Sequence, residues 1–368
     1  MTIALNVQKV SGISGSEAHL LSVLPLLRDR GWDARMLVLH EDEPGAHEFI
    51  DAMRERRVPT EAWRMRFDLD PRVPARIATR GPAILHTHLV HADVLCLPAG
   101  FRARARVSTK HGFNEFRGNR AVAAADRAAA RFADAQIAIS HGLARYLAQT
   151  EGFAERDFTV VHYGIEPGPE PSPPPAPTRL AAVGRLIPIK GFDLLLRAFA
   201  AAREQVPELT LELAGAGALE GELRAAAPEG VTLLGRVSPV QEVYDRNAIV
   251  VVPSRGEGFG MVALEAAERG RAVIASDVGG LPEIVADGET GTIVPAEDVG
   301  ALARAIVVLA REEELVRQYG HAARRRALDQ FSARSAADGV ELVYRDLLHA
   351  RSIAAPASSA STKSNDTR

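Results

Sequence analysis

The stretch EGFGMVALE, residues 257–265, places two carboxylates, Glu257 and Glu265, eight positions apart around a Gly-Phe-Gly turn. Gly256, Gly258 and Gly260 allow tight turning and close backbone approach to a ligand. A helix beginning near Gly260 or Met261 offers free N–H groups and the positive end of its dipole, which together suit an anion. Glu257 precedes that helix and Glu265 lies about 7 Å along it at 1.5 Å per residue. The two carboxylates therefore need not meet the same group. They can accept hydrogen bonds from hydroxyls at either end of a diphosphate, while the anion lies between them. Taken alone, Glu265 also reads as an ordinary solvated helix residue, and Glu257 as a charge complementing the dipole.

A second constellation lies upstream in VGRLIPIKGF, where Arg185 and Lys190 stand five apart on a loop between an apolar strand and a helix. A guanidinium can fork two phosphate oxygens and an ammonium adds a point charge, so the pair suits a diphosphate. A surface arginine and a helix-start lysine are the plainer reading of the same residues. The glycines of LAGAGALEG, residues 213–221, are a weaker signal, since such pairs are mostly turn chemistry.

These loops need strands to carry them. In the first half, TIALNVQ, DARMLVLH, AILHTHL (83–89), RVSTKH (106–111), AQIAIS (135–140) and FTVVHYG (158–164) read as strands, and SEAHLLSVLPLLRDRG reads as a helix. In the second half, strands fall at 179–185, 209–215, 231–235, 248–254, 272–276 and 291–295. Helices between strands predict parallel sheets covered on both faces. PGPEPSPPPAPT, residues 167–178, has seven prolines in twelve residues and predicts an extended connector. The organisation expected is an α/β chain of two Rossmann-like domains, 1–166 and 179–332, facing a cleft. A last amphipathic helix at 333–350 and a disordered tail at 351–368 complete it.

Composition narrows the function classes. The 368 residues carry a formal net charge of −3, which argues against a nucleic-acid partner. One cysteine, Cys96, allows no internal disulfide and fits a reducing cytoplasm. The opening MTIALNVQKV reads as a strand rather than a leader, and no apolar run reaches membrane-span length. Residues 54–131 hold sixteen basic against seven acidic residues, many in RERR, RMR and RARAR. Such a stretch is either a set of solvated faces or a peripheral contact with an anionic membrane or acceptor.

VGRL with its following KG, then EGFGMVALE, then GRAVIASDVGGLPEIVADGETG, resembles the retaining GT-B glycosyltransferases of family 4. The resemblance implies two Rossmann-like domains, a nucleotide-sugar donor on the second, an acceptor mainly on the first, and no obligatory metal. It also implies a last helix that crosses back to the first domain. By position, it makes Arg185 and Lys190 the diphosphate-binding cations and Glu257 the contact to donor-sugar hydroxyls. Phe259, Gly260 and Met261 become the backbone at sugar and phosphate, and Glu265 the ribose ligand. Arg236 falls where main-chain groups meet the nucleobase. Gly15, Glu17 and His19 fit the family's first loop and helix, although Ser14 replaces a usual glycine. His111 in STKHGF matches a histidine near the donor sugar. HYGIE, with Tyr163 and Glu166, departs from the family pattern and is assigned no chemistry.

Two metal-like signals carry less. His86 and His88 share one face of a strand in HTHLVH without an acidic or cysteine partner at ligand spacing. Asp68 and Asp70 of DLD mimic an Asp-x-Asp metal motif just before Pro71. The activity expected is retaining transfer of a UDP- or GDP-linked sugar to a hydroxyl acceptor, lipid-linked or glycan, in cell-envelope glycan or glycolipid synthesis. The leaving diphosphate would be stabilised by Arg185, Lys190 and the helix N-terminus. The alternatives are a sugar-nucleotide epimerase or hydrolase of the same fold, and a donor-binding protein without turnover. The location expected is cytoplasmic, at most peripheral to a membrane.

Overall fold

Near-continuous apolar runs such as IVVV and AVIAS have no polar face to leave in water, so they end up as strands buried on both sides of a parallel sheet. In the computed structural model, which describes residues 2–112 and 120–354, such runs assemble into two sheets. The first contains β1 (Thr2–Lys9), β2 (Trp32–His40), β3 (Thr60–Arg64), β4 (Ile84–His88), β5 (Ala105–Lys110), β6 (Ala135–Ala138) and β7 (Phe158–Val160). Their spatial order is β3-β2-β1-β4-β5-β6-β7. The second contains β8 (Arg179–Val183), β9 (Thr210–Ala214), β10 (Val231–Gly235), β11 (Ile249–Val252), β12 (Ala272–Ser276) and β13 (Gly291–Val294), in the order β10-β9-β8-β11-β12-β13. Every pairing in both sheets is parallel.

Each order reverses once, between β1 and β4 in the first sheet and between β8 and β11 in the second. Loops leaving the strand ends at such a reversal diverge and open a crevice, where ligands of doubly wound sheets bind. Arg185 follows β8 and the Glu257 loop follows β11, so the two constellations singled out above flank one switch point. The Ser11–Ser14 loop follows β1 and flanks the other.

Two differences from the sequence reading concern the first sheet. Strand β3, TEAWR, is an addition to it. It is an edge strand with no buried residue, so it carries no apolar alternation to read. Strand β7 stops at Val160, because the chain then turns toward Ser332, which Ile165 meets in an isolated bridge.

After the second sheet the chain returns. The Ala333–Ala354 helix packs on the Gly15–Asp29 helix of the first domain. Ala336, Ala337, Val340, Val343 and Tyr344 join the core that holds Leu20, Leu24, Leu27 and Phe49. The indole N–H of Trp32 donates to Glu341 at 3.1 Å, and Arg30 pairs with Glu341 and Asp338 at 3.1 and 2.8 Å. The helix continues through Ala354, so residues 351–354 are helical rather than part of the disordered tail expected at 351–368, and the rest of that tail lies outside the described residues.

Candidate active site

Close packing of glycine-bearing loops shapes the C-terminal edge of the second sheet. Gly191, at φ +67°, lies so near the Pro253 carbonyl that no Cβ could fit, and Arg255 N–H donates to the Ile189 carbonyl at 2.8 Å. This docks the Lys190 turn against the Glu257 loop. Lys190 Nζ then reaches Glu257 Oε2 at 2.6 Å, and Ser254 Oγ reaches the same oxygen at 3.3 Å. Arg185 is exposed, and its side chain has no hydrogen-bond or ion-pair partner among the described residues. The glycines of the GAG turn serve packing. A Cβ on Gly217 would come within 2.5 Å of the Leu186 carbonyl, and Gly215 abuts Gly184 still more closely. They hold the Arg185 loop against the next strand.

The helix after the glutamate turn spans Met261–Glu268, with left-handed Gly260 (φ +112°) as its N-cap and no side-chain cap. Among the described residues, the first-turn N–H groups of Met261, Val262 and Ala263 therefore have no acceptor. The Gly15–Asp29 helix also points its start here, because a Cβ on Gly15 would lie 3.5 Å from Met261 Cγ. That second helix start is already filled. Glu17, buried, accepts from Ser14 N–H at 3.0 Å, from Ser16 Oγ at 3.0 Å, and also from Ser14 Oγ and Gln8 Nε2. Of two converging helix dipoles, the one at Met261 is left open to an anion.

The other expected positions divide between surface and interior. Phe259 turns inward, 2% exposed, with its ring against His162, Tyr163 and Phe331, so only its backbone faces the crevice. Glu265 is half-buried and accepts from Tyr244 O–H at 2.7 Å. Burial raises its pKa against the opposing effect of that hydrogen bond. Arg236 is exposed just after β10.

His111 sits at the end of β5, where a Cβ on Gly258 would lie 2.8 Å from Gly112 Cα and 3.1 Å from the His111 carbonyl. Both of its ring nitrogens are engaged, Nε2 with His88 Nδ1 at 2.9 Å and Nδ1 with the Tyr163 hydroxyl. The direction of this chain follows from its far end. Asn6 Oδ1 can only accept, so His88 Nε2–H donates to it at 3.1 Å. A neutral His88 then accepts at Nδ1, His111 donates from Nε2, and Tyr163 O–H donates to His111 Nδ1. Burial lowers the pKa of His88 and His111 well below the ordinary value, which fits two neutral rings. His86 is likewise buried, between the Tyr344 hydroxyl and Thr109 Oγ1 at 2.7 Å each. The paired strand histidines thus hold the sheet to the last helix and position His111.

Asp70 is capped by Arg72 and by the N–H groups of Arg66 and Arg72, and Asp68 pairs with Lys9. Asp70 is spent on its own turn, and Asp68 is paired with Lys9 from a distant part of the chain. The structure also brings three groups to this edge that the sequence reading does not single out for chemistry: Tyr163, Tyr244, and Glu283 with its partner His162. Their partners lie 52, 21 and 121 residues away, so no local pattern signals them.

Two family models match the chain, Glycosyltransferase Family 4 over residues 13–168 and Glycosyl transferases group 1 over residues 177–312. The chain belongs to the family 4 glycosyltransferases. Among curated relatives of this family 4 chain, the lipopolysaccharide core biosynthesis mannosyltransferase LpcC of Rhizobium leguminosarum bv. viciae is 32% identical over 217 residues, covering 53% of this chain and 62% of the relative. The alpha-maltose-1-phosphate synthase of Mycolicibacterium smegmatis is 33% identical over 255 residues, 60% of this chain and 65% of the relative. This chain therefore spans less than two thirds of either relative. Among solved structures, Anabaena HepE in complex with UDP and glucose superposes with a TM-score of 0.80 at 20% identity, covering 94% of this chain and all of that one. The fold of the family 4 chain is GT-B, with its last helix crossing back to the first domain.

Proposed function

We propose that this chain transfers a sugar from a nucleoside diphosphate sugar, UDP- or GDP-linked, to a hydroxyl acceptor with retention at the anomeric carbon. The observation that carries the reading is the uncapped N-terminus at Met261, with unpaired Arg185 nearby in the fold and Lys190 held on Glu257. As the bond from the anomeric carbon to the diphosphate oxygen breaks, negative charge grows on the leaving group. Arg185, Lys190 and the helix start supply preorganised positive charge for it. The acceptor oxygen bonds to the anomeric carbon on the same face, and its proton passes to the departing phosphate. No carboxylate base is then needed, which leaves Glu257 to hold sugar hydroxyls and Glu265 the ribose. Phe259 and Gly260 offer backbone, Met261 borders the donor, Arg236 lies toward the base, and Gly15 closes against Met261 rather than holding the phosphate. His111, with both ring nitrogens engaged, acts by position rather than by proton transfer.

A cell-envelope glycan or a lipid-linked acceptor fits best. LpcC is named for lipopolysaccharide core synthesis. In this chain the exposed side chains of Phe67, Leu69 and Phe101 stand in the arginine-rich part of the first domain, near Arg66 and Arg102 in sequence. Such a mixture suits the surface of an anionic membrane, at its cytoplasmic face. No helix among the described residues is long and apolar enough to cross one.

A panel of UDP- and GDP-sugars, screened first by thermal shift and then for nucleotide release with and without acceptor, tests the reading. Acceptor-dependent release with retained configuration is expected. An isomerised donor, or release indifferent to every hydroxyl acceptor supplied, would overturn it.

A further inference from the structure

Behind the glutamate turn the two domains are joined by a polar cluster that the transfer chemistry does not use. Ser140, at the end of the β6 segment, donates to the Gly258 carbonyl at 2.6 Å. The next residues, His141 and Gly142, start the His141–Glu151 helix and donate their N–H groups to Glu283 of the second domain at 3.1 and 2.8 Å. Glu283 Oε2 is also 2.8 Å from His162 Nε2, on the segment leading out of the first domain. The His141 ring stands 5.9 Å from the His162 ring. One ligand atom from each of His141, His162 and Glu283 falls within 4.8 Å of the others.

We propose that His141, His162 and Glu283 form a site for a divalent transition-metal ion, which ties the two domains together when bound. Two imidazoles and one carboxylate suit zinc, cobalt or nickel, and are a poor set for magnesium or calcium, which favour oxygen donors. The geometry is close to what a tetrahedral ion needs. With metal–ligand bonds of about 2.0–2.1 Å, neighbouring ligand atoms stand about 3.3 Å apart. His162 and Glu283 must separate by about half an ångström from their present contact, and the exposed His141 ring is free to turn in. The N–H groups of His141 and Gly142 already hold the Glu283 carboxylate in place, the kind of outer support that orients a metal ligand. The fourth position is left to water. The guanidinium of Arg326 is spent on the Glu283 and Ile284 carbonyls and on the face of Phe331.

A rival cluster, His40, Asp42 and His47, also brings its ligand atoms within 4.8 Å of one another. There Arg64 already pairs with Asp42 at 3.1 Å, and His40 Nδ1 accepts from Asp42 N–H at 3.2 Å, so charge and lone pair are both committed. The interdomain set draws on three separate segments, and a metal there would couple to how the domains sit.

The test is titration of the metal-free full chain with cobalt(II) chloride, followed by its visible absorption, and with zinc chloride, followed by melting temperature. It requires no knowledge of the sugar donor. One equivalent of cobalt with four-coordinate d–d bands, and a zinc-dependent rise in melting temperature of several degrees, are expected. His141→Ala should abolish both while leaving the metal-free melt unchanged, because that ring is exposed. His47→Ala should leave both intact. Glu283→Gln, which keeps the side-chain shape, should weaken cobalt binding at least ten-fold. The site is refuted by the absence of tight cobalt or zinc binding. It is equally refuted if binding survives His141→Ala or is lost in His47→Ala.

Discussion

Lys190 Nζ lies 2.6 Å from Glu257 Oε2, so the ammonium expected at a diphosphate is already tethered to the carboxylate expected at the sugar. Neither group is fully exposed, at 19% and 16% of their side-chain surface. The pair holds both chains in place before a donor arrives, and preorganisation of this kind is what electrostatic catalysis requires.

Removing either cation should therefore act on turnover more than on folding. Lys190→Ala and Arg185→Ala are each expected to lower kcat/KM by about 10²–10³-fold, the range seen when one stabilising donor is lost. Lys190→Ala should cost more than Arg185→Ala, since it also frees Glu257. Steady-state kinetics of both variants, alongside melts that stay within a degree or two of wild type, are the measurement. Near-normal rates in both would remove these residues from the donor site.

The seam between the domains is built backbone to backbone. Gly142 abuts the Gly279 carbonyl with no room for a Cβ, and a Cβ on Gly258 would lie 2.8 Å from Gly112 Cα. Gly142→Ala and Gly258→Ala should wedge the domains apart, since overpacking of this sort costs about 1–3 kcal/mol if nothing moves. A larger radius of gyration by small-angle scattering and a raised KM for donor are the expected results. Unchanged scattering with unchanged kinetics would show that the loops yield locally.

The buried histidines set an acid limit. Burial lowers the pKa of His19 to about 3 and carries those of His86 and His88 well below 6.5. Folded, these rings stay neutral where the unfolded chain would take up protons. Their contribution is therefore fully present above about pH 6.5 and drains away as pH falls toward the folded values. Each ring contributes a slope of about 1.4 kcal/mol per pH unit within its window. Melting temperature should drop steeply from pH 6.5 to 5, and His19→Gln should flatten that drop. A melt independent of pH across this interval would contradict the neutral network.

Lys110 is enclosed between Asp93 and Asp126, 2.6 Å from a carboxylate oxygen of each, with all three side chains buried. Lys110→Met should destabilise the first domain by about 3–5 kcal/mol, because it strands buried carboxylates without their cation. Urea denaturation measures this directly. A loss below 1 kcal/mol would mean that the carboxylates take up protons at little cost.

The two donor constellations are legible in the sequence because each is local. Glu257, Gly260 and Glu265 lie within nine residues, and Arg185 and Lys190 within six. The strand alternation around them is legible for the same reason, since parallel strands advertise themselves by composition. What is not legible is long in sequence separation or poor in apolar residues. TEAWR has no buried side chain, and so no pattern to betray an edge strand. HYGIE departs from the family run and offers no chemistry by that measure, yet Tyr163 fixes the His111 ring and His162 joins Glu283 across 121 residues. The GAG glycines hint at a phosphate turn, whereas their missing side chains make room for the backbone of Gly184 and Leu186.

Five side chains between Ala336 and Tyr344 complete a core begun by Leu20 and Leu24. During synthesis the ribosome makes the whole second domain before those five side chains appear. The first sheet must wait, with part of its apolar face uncovered, until the second domain has been made. The second sheet has no such dependence on the last helix for its own apolar cluster, in which Leu180, Ile249 and Ile306 pack together. Maturation should then run against chain order, with the later-made half settling first. A truncation before residue 336 should yield a sound second half attached to a first half that recruits chaperones.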